Sequence, residues 1–141
     1  AVITSYCDAN PNSTALAGDI TASNVDQSAR TMEIEASNLP VNANGFFISS
    51  LDQGFVAGAG GSGGNLCLGG SIGRGVAGGI KTADSTGRFA GTVNLDAIPT
   101  GNGSSSAMTG QTWYFQAWHR DSLIPGLTTS NFTDGVRVRF P

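Results

Sequence analysis

Three stretches of this chain alternate apolar and polar side chains residue by residue: RTMEIEAS (30–37), GRFAGTVNL (87–95) and GVRVRFP (135–141). A period of two belongs to strands with one face in a core and the other in water. It turns Met32, Ile34 and Ala36 inward against Thr31, Glu33 and Glu35, and Val136, Val138 and Phe140 inward against Arg137 and Arg139. In the middle stretch Phe89, Val93 and Leu95 face in, and Gly91 leaves a gap for a large neighbouring side chain to fill. Further strands are expected at GDITASNV, at GFFISS and around NLCLGG, separated by the turn-forming clusters NLPVNANG, LDQG, TADSTG and PTGNGSSS, the last continuing as a mobile loop. No amphipathic helix longer than two turns is visible, although SNVDQSAR and LDAIP could each hold one turn. With 21 glycines and only 12% charged residues, good helix formers are scarce. The expectation is an antiparallel β-sandwich of about seven to nine strands, jelly-roll-like or Ig-like, with long Gly-rich loops. It occupies residues 1–141 as a single domain.

Charge narrows the partners. A net charge of −3, with only Arg137 and Arg139 close together, argues against nucleic acid, which needs clustered cations to displace counterions. No run approaches the ~18 apolar residues of a membrane helix. The chain begins AVITSYC with no basic start followed by an apolar segment, and it is read as a mature, secreted N-terminus left by signal cleavage. Cys7 and Cys67 have no CxxC spacing, so a disulfide is expected, closing a loop of about 60 residues in an oxidising compartment. Two buried free thiols are the alternative. The glycine-dense GFVAGAGGSGGNLCLGG carries Phe55, Val56, Leu66 and Leu68, which a linker would not need, and is read as an ordered loop pinned by that bond.

The catalytic signatures fall away one by one. GAGGSG (58–63) fits GxGxxG in letters, but no helix can follow it to receive a pyrophosphate. His119-Arg120-Asp121 lacks the other parts of a kinase, and His119, the only histidine, has no GxSxG elbow to serve. Glu33 and Glu35 belong on a solvated strand face rather than across a glycosidase cleft. Asp121, Asn131 and Asp134 lie in or beside DSLIPGLTTSNFTDG, where an oxygen-rich loop could hold a structural Ca²⁺, but DxDxDG spacing is missing and no other cofactor is indicated. Sequons stand at Asn12, Asn102 and Asn131.

The segment TWYFQAWH (112–119) is aromatic on both faces. Alternation puts Trp113, Phe115, Ala117 and His119 on one side and Tyr114, Gln116 and Trp118 on the other. One side suits a core. The other, two rings and an amide, suits either packing beneath loops or an exposed platform for a sugar.

The order YCDANPNSTALAGDITASNV, NGFFISS, GNLCLGG, GQTWYFQAWHRD, NFTDGVRVRF resembles a domain found at the C-termini of secreted proteins of planctomycetes and related environmental bacteria. There a YC…NSTG start, a second cysteine before a glycine pair, W-x-FQ-W-x-RD and FN-x-SDG recur in the same sequence. The resemblance runs from Tyr6 to Phe140, departing at the glycine-rich stretch before Cys67 and at SLIPGLTT. It implies an extracellular accessory module without an assigned activity, a Cys7–Cys67 pairing, and no enzyme. Low charge, a Gly/Ser/Thr/Asn-rich surface and free apolar ends lead to the function expected: a non-catalytic, secreted cell-surface subunit, structural or adhesive, forming a homo-oligomer or polymer. A short arm, residues 1–5, would act through Ala1, Val2, Ile3 and Thr4 by adding a strand to a neighbour's sheet, the alternative being an arm folded back onto its own sheet. The alternative is a lectin-like module that binds polysaccharide through Tyr114, Gln116 and Trp118.

Overall fold

The computed structural model describes residues 1–124 and 126–141, with only the backbone at 123 and 124; Pro125, within SLIPGLTT, lies outside the described residues. In chain order the strands are β1 (Val2–Tyr6), β2 (Asp19–Asp26), β3 (Thr31–Ser37), β4 (Asn44–Ser50), β5 (Asp52–Ala57), β6 (Asn65–Gly69), β7 (Gly73–Thr82), β8 (Phe89–Asn94), β9 (Ile98–Thr100), β10 (Gly103–Ser105), β11 (Thr112–Ile124) and β12 (Leu127–Arg139). All pairing is antiparallel. A five-stranded sheet, β1-β12-β11-β4-β7, faces a three-stranded one, β2-β3-β8. Between them lie the inward residues of the alternating stretches: Met32, Ile34, Ala36, Phe89 and Val93 from one sheet, Phe47, Trp113, Phe115, Ala117, Val136 and Val138 from the other. Phe47 and Phe89 meet edge to face across the gap, ring centres 5.2 Å apart.

Twelve strands exceed the expected number because glycine-rich segments also pair. GFVAGAGGSGGNLCLGG, expected as an ordered loop pinned by the disulfide, is so pinned but is a hairpin: β5 and β6 pair, joined through a 3-10 turn at Ala59–Gly61, within GAGGSG. PTGNGSSS, expected to be mobile, closes the small β9–β10 hairpin. The single helical turns expected in SNVDQSAR and LDAIP are hydrogen-bonded β-turns instead, where Asp26 and Asn94 side chains accept backbone N–H groups two residues on. The gap at Gly91 is filled from β7, by the backbone and methyl of Ala77 together with the long side chain of Lys81.

Two features shape the outer face of the larger sheet. One is a β-bulge: Gln116 opposes Gly135 but Trp118 opposes Phe132, so β12 carries one extra residue there. The Ala117 N–H that the bulge strands donates to Thr133 Oγ1 at 3.0 Å. Past the bulge the alternation of β12 inverts, bringing Phe132 outward and Asn131 inward opposite His119. The other feature is the β5–β6 hairpin, which lies on this face and packs Leu68 and Leu66 against Ile48 and Phe132. The Cys7–Cys67 disulfide ties the hairpin to the end of β1.

The expected arm does not project. Val2 to Tyr6 pairs with Arg139 to Gly135 of the same chain, so β1 is the edge strand of its own sheet, because Ile3 and Ser5 continue the inner face of Val138 and Val136. Among the described residues no helix is long and apolar enough to cross a membrane.

Candidate binding groove

Of the Tyr114, Gln116 and Trp118 trio, only Trp118 reaches an open surface feature. Gln116 is fully buried and its amide is spent: Oε1 accepts the Cys67 N–H at 2.9 Å, while Nε2 donates to the Asn65 and Thr133 carbonyls at 2.8 and 2.7 Å. It offers a ligand nothing. It fastens the hairpin to the sheet, which is why an amide stands on this face. Tyr114 is half-buried, edge to face with Tyr6 at 5.4 Å, and Tyr6 in turn donates its hydroxyl hydrogen to the Cys67 carbonyl at 2.8 Å. Burial, and next the neighbouring Tyr114, push the Tyr6 hydroxyl well above the ordinary tyrosine range.

Trp118 has other neighbours. Phe46 on β4 is its cross-strand partner, the rings stacked 5.0 Å apart with planes 27° from parallel. The guanidinium carbon of Arg120, two residues along β11, lies 5.0 Å from the Trp118 ring centre, and that of Arg74 on β7 lies 6.0 Å from Phe46. Arg74, Phe46, Trp118 and Arg120 thus form one chain of contacts across three adjacent strands. They line a groove of about 580 Å³ whose apolar walls include Ile48, Leu66, Ile72 and Phe132. Phe46, Trp118 and Arg120 also border a hollow of about 290 Å³ ending at Asn44 and the exposed Ile80. A larger hollow, about 720 Å³, on the other sheet is lined by Asp26, Glu33, Val25 and uncharged polar residues and offers no aromatic ring.

The two arginines are uncommitted. Among the described residues the ion pairs are Arg30 with Asp96 and Arg88 with Glu35. Arg74 and Arg120 are exposed and make neither an ion pair nor a side-chain hydrogen bond among the described residues. Ring contact holds each guanidinium in place while leaving its N–H donors at the rim for an acceptor.

His119 is sealed in the sandwich at the opposite face of β11. Its Nδ1–H donates to the Arg120 carbonyl at 2.8 Å, and Nε2 has no hydrogen-bond partner among the described residues. Burial lowers its pKa below the ordinary histidine value, which keeps the ring neutral. The oxygen ligands considered for Ca²⁺ sit on strands, not in a loop, and each serves the backbone. Asp121 accepts the Ser13 N–H, Asn131 accepts the Phe132 N–H at 2.8 Å, and Asp134 accepts the Ile20 N–H at 2.9 Å. Among the described residues no group of three or more His, Cys, Asp or Glu could hold a metal ion. Asn12 and Asn131 are buried in such bonds, which leaves Asn102, exposed in the β9–β10 turn, as the accessible sequon.

Sequence reasoning missed Phe46, Arg74 and Arg120. Arg120 was within reach, one further step of the alternation that joins Tyr114, Gln116 and Trp118. Arg74 was not, because GRGVAGGIKT has no strand period. No protein-family model matches this chain, and no curated protein matches it either.

Proposed function

We propose that this domain is a non-catalytic extracellular recognition module, an accessory or adhesive unit of a secreted protein, that holds a polysaccharide chain in the groove of Phe46, Trp118, Arg74 and Arg120. The stacked Phe46–Trp118 pair with two uncommitted guanidinium groups carries this reading. Half-buried rings lining an open groove supply apolar contact for sugar C–H groups, and guanidinium donors fix orientation, the combination a sugar site requires. The disulfide is consistent with an oxidising compartment, and the resemblance to secreted planctomycete C-terminal domains supports the same placement. The one histidine lies out of a ligand's reach, which weighs against hydrolytic chemistry built on it. A glycan array tests the proposal. Saturable binding that Trp118→Ala abolishes supports it; silence across the array, or binding that the substitution leaves intact, refutes the groove as the site.

Self-association is a second reading, and the β1 edge favours it. Its free side has no strand partner among the described residues, its sequence VITSY carries no charge or proline, and Val2 and Ile3 are exposed.

A further inference from the structure

We propose that the groove selects an acidic polysaccharide, one bearing carboxylates along the chain; this rests on the recognition reading above and specifies its ligand. The charge distribution argues for it. The chain is net negative, yet the outer face of the five-stranded sheet carries Arg74, Arg120, Arg137 and Arg139. The β5–β6 hairpin, fastened through Gln116, divides these into two pairs. Arg137 and Arg139 stand beside Tyr114 and Thr112, at the closed end. Arg74 and Arg120 stand at the open groove, on strands two apart in the sheet, with the stacked rings linked to both.

Such spacing does not suit a single small anion held by two converging donors. It suits successive charges on an extended chain lying over Phe46 and Trp118. A guanidinium presents a planar fork that accepts a carboxylate through two parallel N–H···O bonds, and one already oriented against a ring loses less freedom in doing so. The aromatic surface between the two charges would then meet the sugar body, and Ile48, Ile72 and Phe132 exclude water from the contact. A neutral chain would offer the two guanidinium groups only uncharged hydroxyl and ring oxygens, weaker acceptors than carboxylates, and that difference discriminates against it.

The test compares polygalacturonate with the same polymer fully methyl-esterified, by affinity electrophoresis and calorimetry on the whole chain. The expected result is binding of the acid form with at least about a tenfold preference, weakening steeply with added salt. Arg74→Gln with Arg120→Gln should remove that preference at unchanged melting temperature, since both side chains are exposed. The control pair Arg137→Gln with Arg139→Gln should leave it. Equal binding of the two polymers overturns the acidic selectivity while leaving polysaccharide recognition standing. Loss of binding in the control pair as great as in the groove pair overturns the site. Binding of neither polymer, with capture of a poly-glutamate peptide or of a second copy instead, overturns both.

Discussion

Gln116 shows how much one residue can hold. Its three buried hydrogen bonds join β11 to β6 and to the bulge at Thr133, so a single amide sets the height of the hairpin over the sheet. Gln116→Ala leaves the Cys67 N–H and two carbonyls buried without partners and should cost about 3 kcal/mol. Gln116→Glu keeps the shape but turns an acceptor toward two carbonyl oxygens, so it should be no milder; denaturant unfolding of both variants checks this. The sequence shows Gln116 sharing a face with Trp118, and its alternation is correct. What it cannot show is that the hairpin covers one of the two and leaves the other open, since that depends on where Leu66 and Leu68 land some fifty residues earlier in the chain, at positions 66 and 68.

At the scale of elements, β3, β8 and the end of β12 were legible because each is half-buried and regular. β7 was hidden for a physical reason. Gly75, Ala77, Gly78 and Gly79 have φ of 77°, 56°, 104° and 87°, and the register against β4 shifts twice, so its side chains never keep a period of two. The same irregularity, with Arg74 and Lys81, blunts that sheet edge against pairing. β1, at the other edge, lacks such protection. If the edge drives association, sedimentation velocity will show concentration-dependent oligomers that Ile3→Lys, an inward-pointing charge, reduces to monomer; identical behaviour of both proteins dismisses the edge.

Where β12 meets β2, burial, and with it the charge of the hydrogen-bonded Asp19 carboxyl, raises the Asp134 pKa to about 7, against the opposing bond from the Ile20 N–H. A carboxyl raised in the folded state stabilises fully below its unfolded pKa near 4, and that stability is lost as pH climbs to about 7. Asp134 is half exposed, so screening limits the effect to about 1–2 kcal/mol. Thermal melts across this window should fall with pH in the parent protein and flatten in Asp134→Asn, which keeps the acceptor for the Ile20 N–H.

The whole molecule is a sandwich with unlike faces. The smaller sheet turns Glu33 and Glu35 to solvent, while the larger turns out rings and arginines beneath a hairpin held by a disulfide, an amide and a phenol. That design leaves the Phe46–Trp118 surface open to the groove, and the two tryptophans report on it separately. The Trp113 indole N–H is committed to Gln111 Oε1 at 2.9 Å within the core, whereas Trp118 stands in the groove. A nitrogen–proton correlation spectrum recorded while polysaccharide is added distinguishes the two indole signals. Binding in the groove moves the Trp118 signal to saturation with backbone amides of Phe46, Arg74 and Arg120 while Trp113 stays fixed; ligand binding that leaves the Trp118 signal unmoved contradicts a site there.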